Sequence, residues 1–559
     1  MRERVKRLDK QFLLKLIPRK FPSLAQLQYI DLFLEGWEKH VVGAAGFIAG
    51  IGLLGIFFSV WHLITIPAPT IGGDFQEVIV GAPRYINPLF ATSDSDRTLT
   101  HLIYLPLCDT QSRGAAAIAE SCDIVDNKRA TIKIAHRTWD DGTPITASDI
   151  TFTLERIQNK DTHSPWYALA TRFTVNATDA NTVIITAKSP TPELQTLLSI
   201  GPLPEHIWKS VDADKMRSNT LNLKPIGSGP YRLARLLADS DGAPQNLTLD
   251  AVTSFAPRRA YIDEINFRIA DDDASARELF RTRQVDTIFL YDPAVAEELL
   301  KRDVNRFELT SPTVVSLFFN PSRGALLRKK DIRTAFSLAL DRARIVKNAL
   351  HGNGVPTRAP FPLSIVREPS ALEPDTDIGA ARALFKSALP ATATTTLVLG
   401  YPALSAYESV ANEIRDELAP FGITIQPVMI DSFDSNSNLL EYDLLLLGQD
   451  YGSGNAYPYW HSASSGQDGA NYARYQIKEV DGWLEQLGSE SRQAQRETLF
   501  DKLTQRLVND VPAIFLFQPT YQYYAAKKID GVIVPANADP SDRFERVTDW
   551  YTQTRRAHK

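Results

Sequence analysis

Hydrophobic and polar positions along the chain fall into two regimes. Between Val41 and Ile66 the sequence VVGAAGFIAGIGLLGIFFSVWHLITI holds no Asp, Glu, Lys or Arg. About 20 apolar residues carry a helix across a bilayer, so this run predicts one tilted membrane-spanning helix. Trp61 and His62 fall near its far end, where an interfacial aromatic belt places such side chains. Ahead of it, Leu24, Leu27, Ile30, Leu32 and Leu34 recur at roughly helical spacing. They predict a short amphipathic helix on the membrane surface or the lead-in to the span. From Phe75 onward short β-branched or alternating runs interleave with longer helical ones. Strands are predicted at Gln76–Gly81, Thr131–Ala135, Thr182–Ala187, Thr396–Gly400, Ile423–Ile430, Tyr442–Leu447, Pro512–Phe517 and Tyr521–Ala525. Helices are predicted at Ile150–Gln158, Asp331–Leu340, Asp341–Leu350, Tyr407–Leu418 and Arg496–Val508. The first of these is opened by Thr146-Ala-Ser-Asp149, a capping box with Asp in place of Glu. The exported part is therefore a mixed α/β body, without internal repeats or low-complexity tracts.

Charge changes the picture at one end only. Arg2, Arg4, Lys6, Arg7, Lys10, Lys15, Arg19 and Lys20 precede the apolar run, whereas Arg84 is the first basic residue after it. The positive-inside rule then puts the N-terminus in the cytoplasm and the remainder outside. The run begins far from the start and Pro67-Ala68-Pro69-Thr70 is a poor cleavage site, so it reads as an uncleaved signal anchor. Pro67 to Gly73 reads as a linker. Elsewhere the composition is that of an ordinary globular protein: 559 residues, 44% hydrophobic, 23% charged, net charge −5. That balance excludes a disordered or fibrous chain and gives no global attraction to nucleic acid. The two cysteines, Cys108 and Cys122, both fall on the exported side. Export permits a disulfide, and the sequence leaves the pairing open.

Catalytic signatures are missing. There is no Walker A loop, no HExxH and no GxSxG. Gly50-Ile-Gly-Leu-Leu-Gly55 matches the dinucleotide pattern, and Gly46-Phe-Ile-Ala-Gly50 the GxxxG packing motif, but both lie inside the apolar run. Nine histidines are scattered without ligand spacing. No metal site, cofactor or catalytic residue is expected. Asp140 and Asp141 are adjacent, so on a strand they point to opposite faces and read as turn and cap rather than an acid–base pair. Gly227-Ser-Gly229-Pro230 reads as a structural turn that exploits glycine's freedom and then a fixed φ.

Several blocks carry a resemblance in order along the exported part. They are Val80-Gly-Ala-Pro-Arg-Tyr-Ile-Asn-Pro-Leu-Phe90, Arg137-Thr-Trp-Asp-Asp-Gly-Thr-Pro-Ile-Thr-Ala-Ser-Asp-Ile150 and Lys224-Pro-Ile-Gly-Ser-Gly-Pro-Tyr231. Leu317-Phe-Phe-Asn-Pro321, followed by Asp331-Ile-Arg-Thr-Ala-Phe-Ser-Leu-Ala-Leu-Asp341, continues them. Together they resemble the family 5 extracellular solute-binding proteins, the oligopeptide-, dipeptide- and nickel-binding components of ABC importers. The resemblance runs from about Phe75 to Thr552. It implies a two-lobed α/β fold of the type II periplasmic-binding kind with an extra subdomain, here preceded by one transmembrane helix. The implied division is residues 1–40 cytoplasmic, 41–66 anchor, 67–73 linker, 74–316 with 519–559 lobe I, and 317–518 lobe II. It implies partners as well: a peptide or other small solute, and an ABC permease with its ATPase.

Ligand chemistry is expected after the apolar strand Tyr442–Leu447, where the chain turns polar and aromatic. Asp450 matches the aspartate that in peptide-binding relatives holds the N-terminal ammonium. Tyr457 and Trp460 are expected as apolar side walls. Asn471, in Gly469-Ala-Asn-Tyr-Ala-Arg-Tyr475, is expected to bond a ligand or a neighbouring loop. The family's Asp-Pro a few residues after the aspartate is replaced by Ala456-Tyr457-Pro458. Competing readings are a membrane-anchored ligand sensor with the same fold, and an extracytoplasmic hydrolase.

Overall fold

The computed structural model describes residues 36–558 except 110–115, 241, 256–257, 291–302, 367–375, 389–394, 403–404, 431–438, 453, 467–468, 491 and 536–538. The chain divides into two units, residues 1–70 with 554–559, and residues 71–553.

In the first unit Gly36–Ile64 forms one helix of 29 residues, none of them buried, with a mean hydropathy of 2.3 over its most apolar stretch. At 1.5 Å per residue it is about 43 Å long, more than the ~30 Å hydrocarbon layer requires. The expected helix through Leu24–Leu34 and the basic flank lie outside the described residues. Directly after the helix, Thr65–Pro69 pairs antiparallel with Thr554–His558, Thr65 opposite His558 and Pro69 opposite Thr554. This corrects the expected linker: Pro67 to Pro69 belongs to a paired strand. Pro67 and Pro69 share one parity, so both missing N–H groups can face away from the single partner strand. The Thr65 hydroxyl accepts from Arg556 Nη1 at 3.1 Å and donates to the Trp61 carbonyl at 2.5 Å. Arg556 also meets the His62 ring.

The second unit is built on one long mixed sheet. Its strands run in the order Ile423–Ile430, Thr395–Pro402, Leu444–Asp450, Thr313–Phe319, Ala513–Ala526, Thr287–Leu290, Asp74–Val80, Glu264–Ala270, Pro244–Ala251 and Tyr231–Ala238. Val304–Thr310 and Gly354–Pro356 also pair with Ala513–Ala526. A second sheet of four strands, Ala119–Val125, Arg129–Ile134, Thr182–Ala187 and Phe173–Asp179, forms a subdomain. Buried side chains separate into groups along this frame. Phe75, Trp139, Phe267 and Trp550 belong to one core, and Val78, Phe280 and Tyr524 extend the same side. Phe319, Phe336, Leu446 and Leu516, with Trp460, Phe500 and Phe515, form the cores of the other side.

One strand joins the two sides. The predicted pair Pro512–Phe517 and Tyr521–Ala525 is a single strand, Ala513–Ala526. Its partner changes midway: Ala513 to Phe517 pair with Thr313–Phe319, and Thr520 to Ala526 pair with Val304–Thr310. Pro519 lies at the change, where it cannot donate but its carbonyl accepts from Ser311 N–H at 2.8 Å. The Gln518 amide, 1% exposed, ties the crossing together. It donates to the Ser311 carbonyl at 3.2 Å and accepts from Leu363 N–H at 3.0 Å.

Local sequence signals explain several elements. The Thr146/Asp149 capping box forms and opens the helix Ala147–Gln158. Asp341 caps Arg342–Ala349 by accepting from Arg344 N–H at 2.9 Å. Cys108 and Cys122 are bridged across 14 residues, with their Cα atoms 6.1 Å apart. The Gly227–Pro230 turn forms, but its glycines serve close approach rather than φ freedom. A Cβ at Gly227 would lie 2.1 Å from the Ile103 carbonyl oxygen, and one at Gly229 would lie 2.5 Å from that of Leu102. That Ile103 oxygen accepts from both Ser228 and Gly229 N–H groups, at 2.9 and 2.8 Å.

Candidate functional site

The strand Leu444–Asp450 is buried for four residues (Leu444 to Leu447) and then emerges where the two sides of the sheet join. Asp450 is opposite Thr313, the first residue of the strand Thr313–Phe319, and Tyr451 N–H donates to the Pro312 carbonyl at 3.1 Å. Asp450 is exposed, and its Oδ1 accepts from Gly452 N–H at 2.8 Å. Its backbone carbonyl is held by the Tyr459 hydroxyl at 2.8 Å. The turn thus fixes the carboxylate's position and leaves acceptor capacity open to a cation.

One carboxyl of the other side, Asp539, feels the charge of Asp450. Asp539 precedes the short turn of helix Pro540–Phe544, and its carboxyl is pushed up to about 6. Burial is the main cause; Arg97 pulls the other way, and Asp450, Asp542 and Asp94 add to the rise. The Tyr521 hydroxyl, on the joining strand, is pushed up to about 12 by burial and by Asp94 and Asp539, against hydrogen bonding from Ser311 and the charge of Arg97. Asp539 therefore shares a field with Asp94, Arg97 and Asp450.

A buried ion pair holds that facing wall. Glu77 and Arg543 are 0% and 2% exposed. Arg543 Nε and Nη2 donate to Glu77 Oε1 at 3.0 and 2.6 Å, while Tyr523 and Thr287 hydroxyls donate to Oε2 at 2.8 and 2.7 Å. Arg543 Nη1 donates to the Pro540 carbonyl at 2.5 Å and to the Thr98 hydroxyl at 3.4 Å. One guanidinium thus joins a central strand to both segments that carry Asp539 and Asp94.

The other expected site residues separate. Tyr457 is half-buried, its ring stacked on His461 with centroids 4.0 Å apart. Its hydroxyl is pushed above the ordinary tyrosine range by burial and by Glu485, against Arg172. Trp460 is a correction: at 0% exposed it offers no wall to a ligand. Its indole donates to the Tyr451 hydroxyl at 2.9 Å and packs against Phe318, Phe515 and Tyr475. Of the two roles expected for Asn471, the structure shows the bond to neighbouring loop backbone: it is 2% exposed and its amide is committed to the scaffold. Its Nδ2 donates to the His461 and Tyr475 carbonyls at 3.1 and 2.8 Å, and its Oδ1 accepts from Tyr475 N–H at 3.0 Å. Both residues belong to an aromatic–polar run in which helical and loop positions alternate between core and surface, a distinction that spacing alone does not make.

Asp140 and Asp141 bond to different partners, Gly227 for the first and Thr143 and His206 for the second. Burial raises the Asp140 carboxyl, whereas Asp141 is lowered, because the Thr143 amide and His206 outweigh its own desolvation. Asp141 Oδ2 lies 2.7 Å from His206 Nε2. Asp539, Arg97 and Tyr521 were not singled out by sequence. Nothing in the sequence near Asp539 marks a ligand. Among the described residues no group of three or more His, Cys, Asp or Glu side chains is placed to hold a metal ion.

Comparison with known proteins agrees with this frame. The family described as bacterial extracellular solute-binding proteins, family 5 Middle, matches residues 115–471. An ABC transporter peptide-binding protein of Brucella ovis is 28% identical over 299 residues, 53% of this chain, and the chain spans only 56% of that relative's length. The oligopeptide-binding protein AppA of Bacillus subtilis is 23% identical over 83% of this chain and 89% of its own; its structure superposes with a TM-score of 0.71. The substrate-binding protein CtaP of Listeria monocytogenes gives a TM-score of 0.74 at 23% identity, covering 87% of this chain and all of that one. The fold is the two-lobed type II periplasmic-binding architecture, and by the family match the chain belongs to the family 5 bacterial extracellular solute-binding proteins.

Proposed function

We propose that this protein receives a peptide, or a similar oligomeric solute bearing an ammonium group, between its two lobes and delivers it to an ABC permease. Asp450 is the anchor for the ammonium and Tyr457 an apolar contact at the rim. The observation that carries this reading is the placement of Asp450: an exposed, turn-fixed carboxylate where the two sides of the sheet join, its charge felt by Asp539 of the other side. A cation between the lobes gains from carboxylates on both, which is what closure requires. Names of relatives point the same way, since AppA of Bacillus subtilis was crystallised with a nonapeptide. The boundaries of this reading are residues 74–316 and 519–553 for lobe I and 317–518 for lobe II, flexing at Ser311–Pro312 and Gln518–Thr520; the last stretch expected in lobe I, 554–559, belongs instead to the unit of the anchor helix. The helix Gly36–Ile64 anchors the protein, with the basic N-terminus cytoplasmic and the lobes outside. In this role the chain performs no reaction of its own.

The test uses the full-length protein in detergent or nanodiscs, titrated with peptides of two to ten residues and with their N-acetylated forms. A ligand at about a hundred times its Kd stabilises the fold by about 2.7 kcal/mol, which a melting scan reads. Free-amine peptides should bind at least about tenfold more tightly than acetylated ones, and Asp450→Asn should abolish that preference. Equal binding of acetylated peptides, or none by any peptide, refutes the reading.

A further inference from the structure

Two contacts reach across from the four-stranded subdomain to the opposite lobe. The first is centred on Glu193, 9% exposed, at the start of the helix Glu193–Leu198. Its Oε2 accepts from Arg172 Nη1 at 2.7 Å within the subdomain, and its Oε1 accepts from Asn455 Nδ2 at 3.3 Å in the opposite lobe. Asn455, 7% exposed, lies five residues beyond Asp450, and its own Oδ1 accepts from Tyr457 N–H at 3.0 Å. The Asn455 amide is therefore used at both ends. One end shapes the loop between the proposed ammonium anchor and Tyr457; the other reaches over to Glu193. The second contact is backbone-directed. Asn127 Nδ2 donates to the Gly488 carbonyl at 3.4 Å, and a Cβ at Gly488 would sit 3.6 Å from the Pro190 carbonyl oxygen.

We propose that Glu193 is a positioning residue for solute capture: through Asn455 it holds the ligand loop from the opposite lobe and weights the protein toward its closed arrangement. The inference rests on the two-lobed binding reading but not on which solute is bound. Opening the lobes must break the Glu193–Asn455 bond and return a mostly buried carboxylate to water, whereas Arg172 stays with Glu193 in either arrangement. Arg172 holds the carboxylate in place, its side chain 52% exposed against 12% for Glu193. A carboxylate already aimed by one partner loses less freedom when it meets the second. The contact touches the loop rather than the anchor itself, so it acts equally on any solute that the loop surrounds.

The test needs no ligand. Spin labels are placed at the exposed positions Lys160→Cys and Lys347→Cys in the full-length protein; both native cysteines are tied in the disulfide, so labelling is confined to these sites. Pulsed electron resonance then reads the distance between lobes. In the parent the shorter distance should dominate. Glu193→Ala and Asn455→Asp, which removes the acceptor or sets carboxylate against carboxylate, should raise the ratio of long to short distances at least about tenfold. Glu193→Gln keeps an acceptor for Asn455 and should stay near the parent. Distributions unchanged in folded Glu193→Ala and Asn455→Asp overturn the proposal. So does a Glu193→Gln variant that opens as far as Glu193→Ala, because the grip on Asn455 is then not what matters. Should Glu193→Ala fail to fold, Asn455→Asp and Asn455→Ala decide the question alone. Failure of every peptide to bind would refute the proposed solute and leave these distances untouched.

Discussion

Replacing Glu77 by Gln isolates the energetic role of the buried ion pair beneath the cleft wall. Gln keeps an acceptor for the Tyr523 and Thr287 hydroxyls but strips the Arg543 guanidinium, 2% exposed, of its counter-charge. A buried charge that loses its ion-pair partner costs about 3–5 kcal/mol. The rings of Phe544, Phe289 and Tyr523, with centroids 4.5, 5.2 and 5.6 Å from the guanidinium carbon, soften that loss but carry no full charge. Removing both charges in Glu77→Gln/Arg543→Met leaves an uncharged side chain among the same rings. Such replacements are often neutral, so the double variant should fall within about 2 kcal/mol of the parent, less stable mainly by the lost Pro540 and Thr98 bonds. Guanidinium unfolding of the four proteins in the cycle gives the coupling, expected to be at least about 4 kcal/mol and favourable, since each single change leaves one buried charge without its partner. Additive losses, with the double variant at the sum of the singles, would refute the reasoning, since the pair would then contribute only as two independent side chains. The same cycle has a functional face. Because Arg543 holds Pro540 and Thr98, the single variants should weaken solute binding through Asp539 and Asp94 even where the fold survives.

Three further outcomes follow from particular contacts. Gly227→Ala should destabilise by about 3 kcal/mol in chemical unfolding, because its Cβ meets a carbonyl already held by two N–H donors, while Gly466→Ala, with open space around it, should be near neutral. Reduction of Cys108–Cys122, or its replacement by two serines, should cost about 3 kcal/mol in the same assay, the loop-closure value for a bridge of this span. Glu417, its side chain 3% exposed, is pushed up to about 7 by burial, against the Asp341 amide and Arg344. Between about pH 4.5 and 7 the native state holds the extra proton, so stability falls as pH rises through that window. Glu417→Gln should therefore stabilise by about 2 kcal/mol at pH 8 and change little at pH 4.5; equal effects at both would sink the assignment.

Much of the fold was legible in the sequence, and for identifiable reasons. Thr182–Ala187 and Ile423–Ile430 were bounded as they stand, since β-branched alternation between turn residues leaves little choice. The capping box fixed one end of Ala147–Gln158, because it is a local bond between residues three apart. Pairing was not legible in the same way. Thr65–Pro69 reads as a linker until Thr554–His558 is brought beside it, and Pro519 reads as a break until Ser311 takes its carbonyl. The site divides along the same line. Asp450 follows from its place at the end of a buried strand, whereas Trp460 and Asn471 look available in sequence and are consumed by Tyr451, His461 and Tyr475. Asp539 reaches the cleft only through the return of the chain after the joining strand, a contact that no local pattern announces.

The ribbon beside the anchor helix sets an order of events during synthesis. Thr65 and Arg556, which bond to each other, are 491 residues apart, so the first strand after the helix has no partner until Thr554–His558 has been made. Chains fold largely from the N-terminus as they are produced, and this strand must wait with its edge open while both lobes form. Pro67 and Pro69 make that edge a poor template for foreign strands, which protects the interval. Closing the ribbon thus follows the lobes: a chain stalled or clipped before Thr554 would keep its lobes but leave the segment next to the helix unpaired and open to proteases.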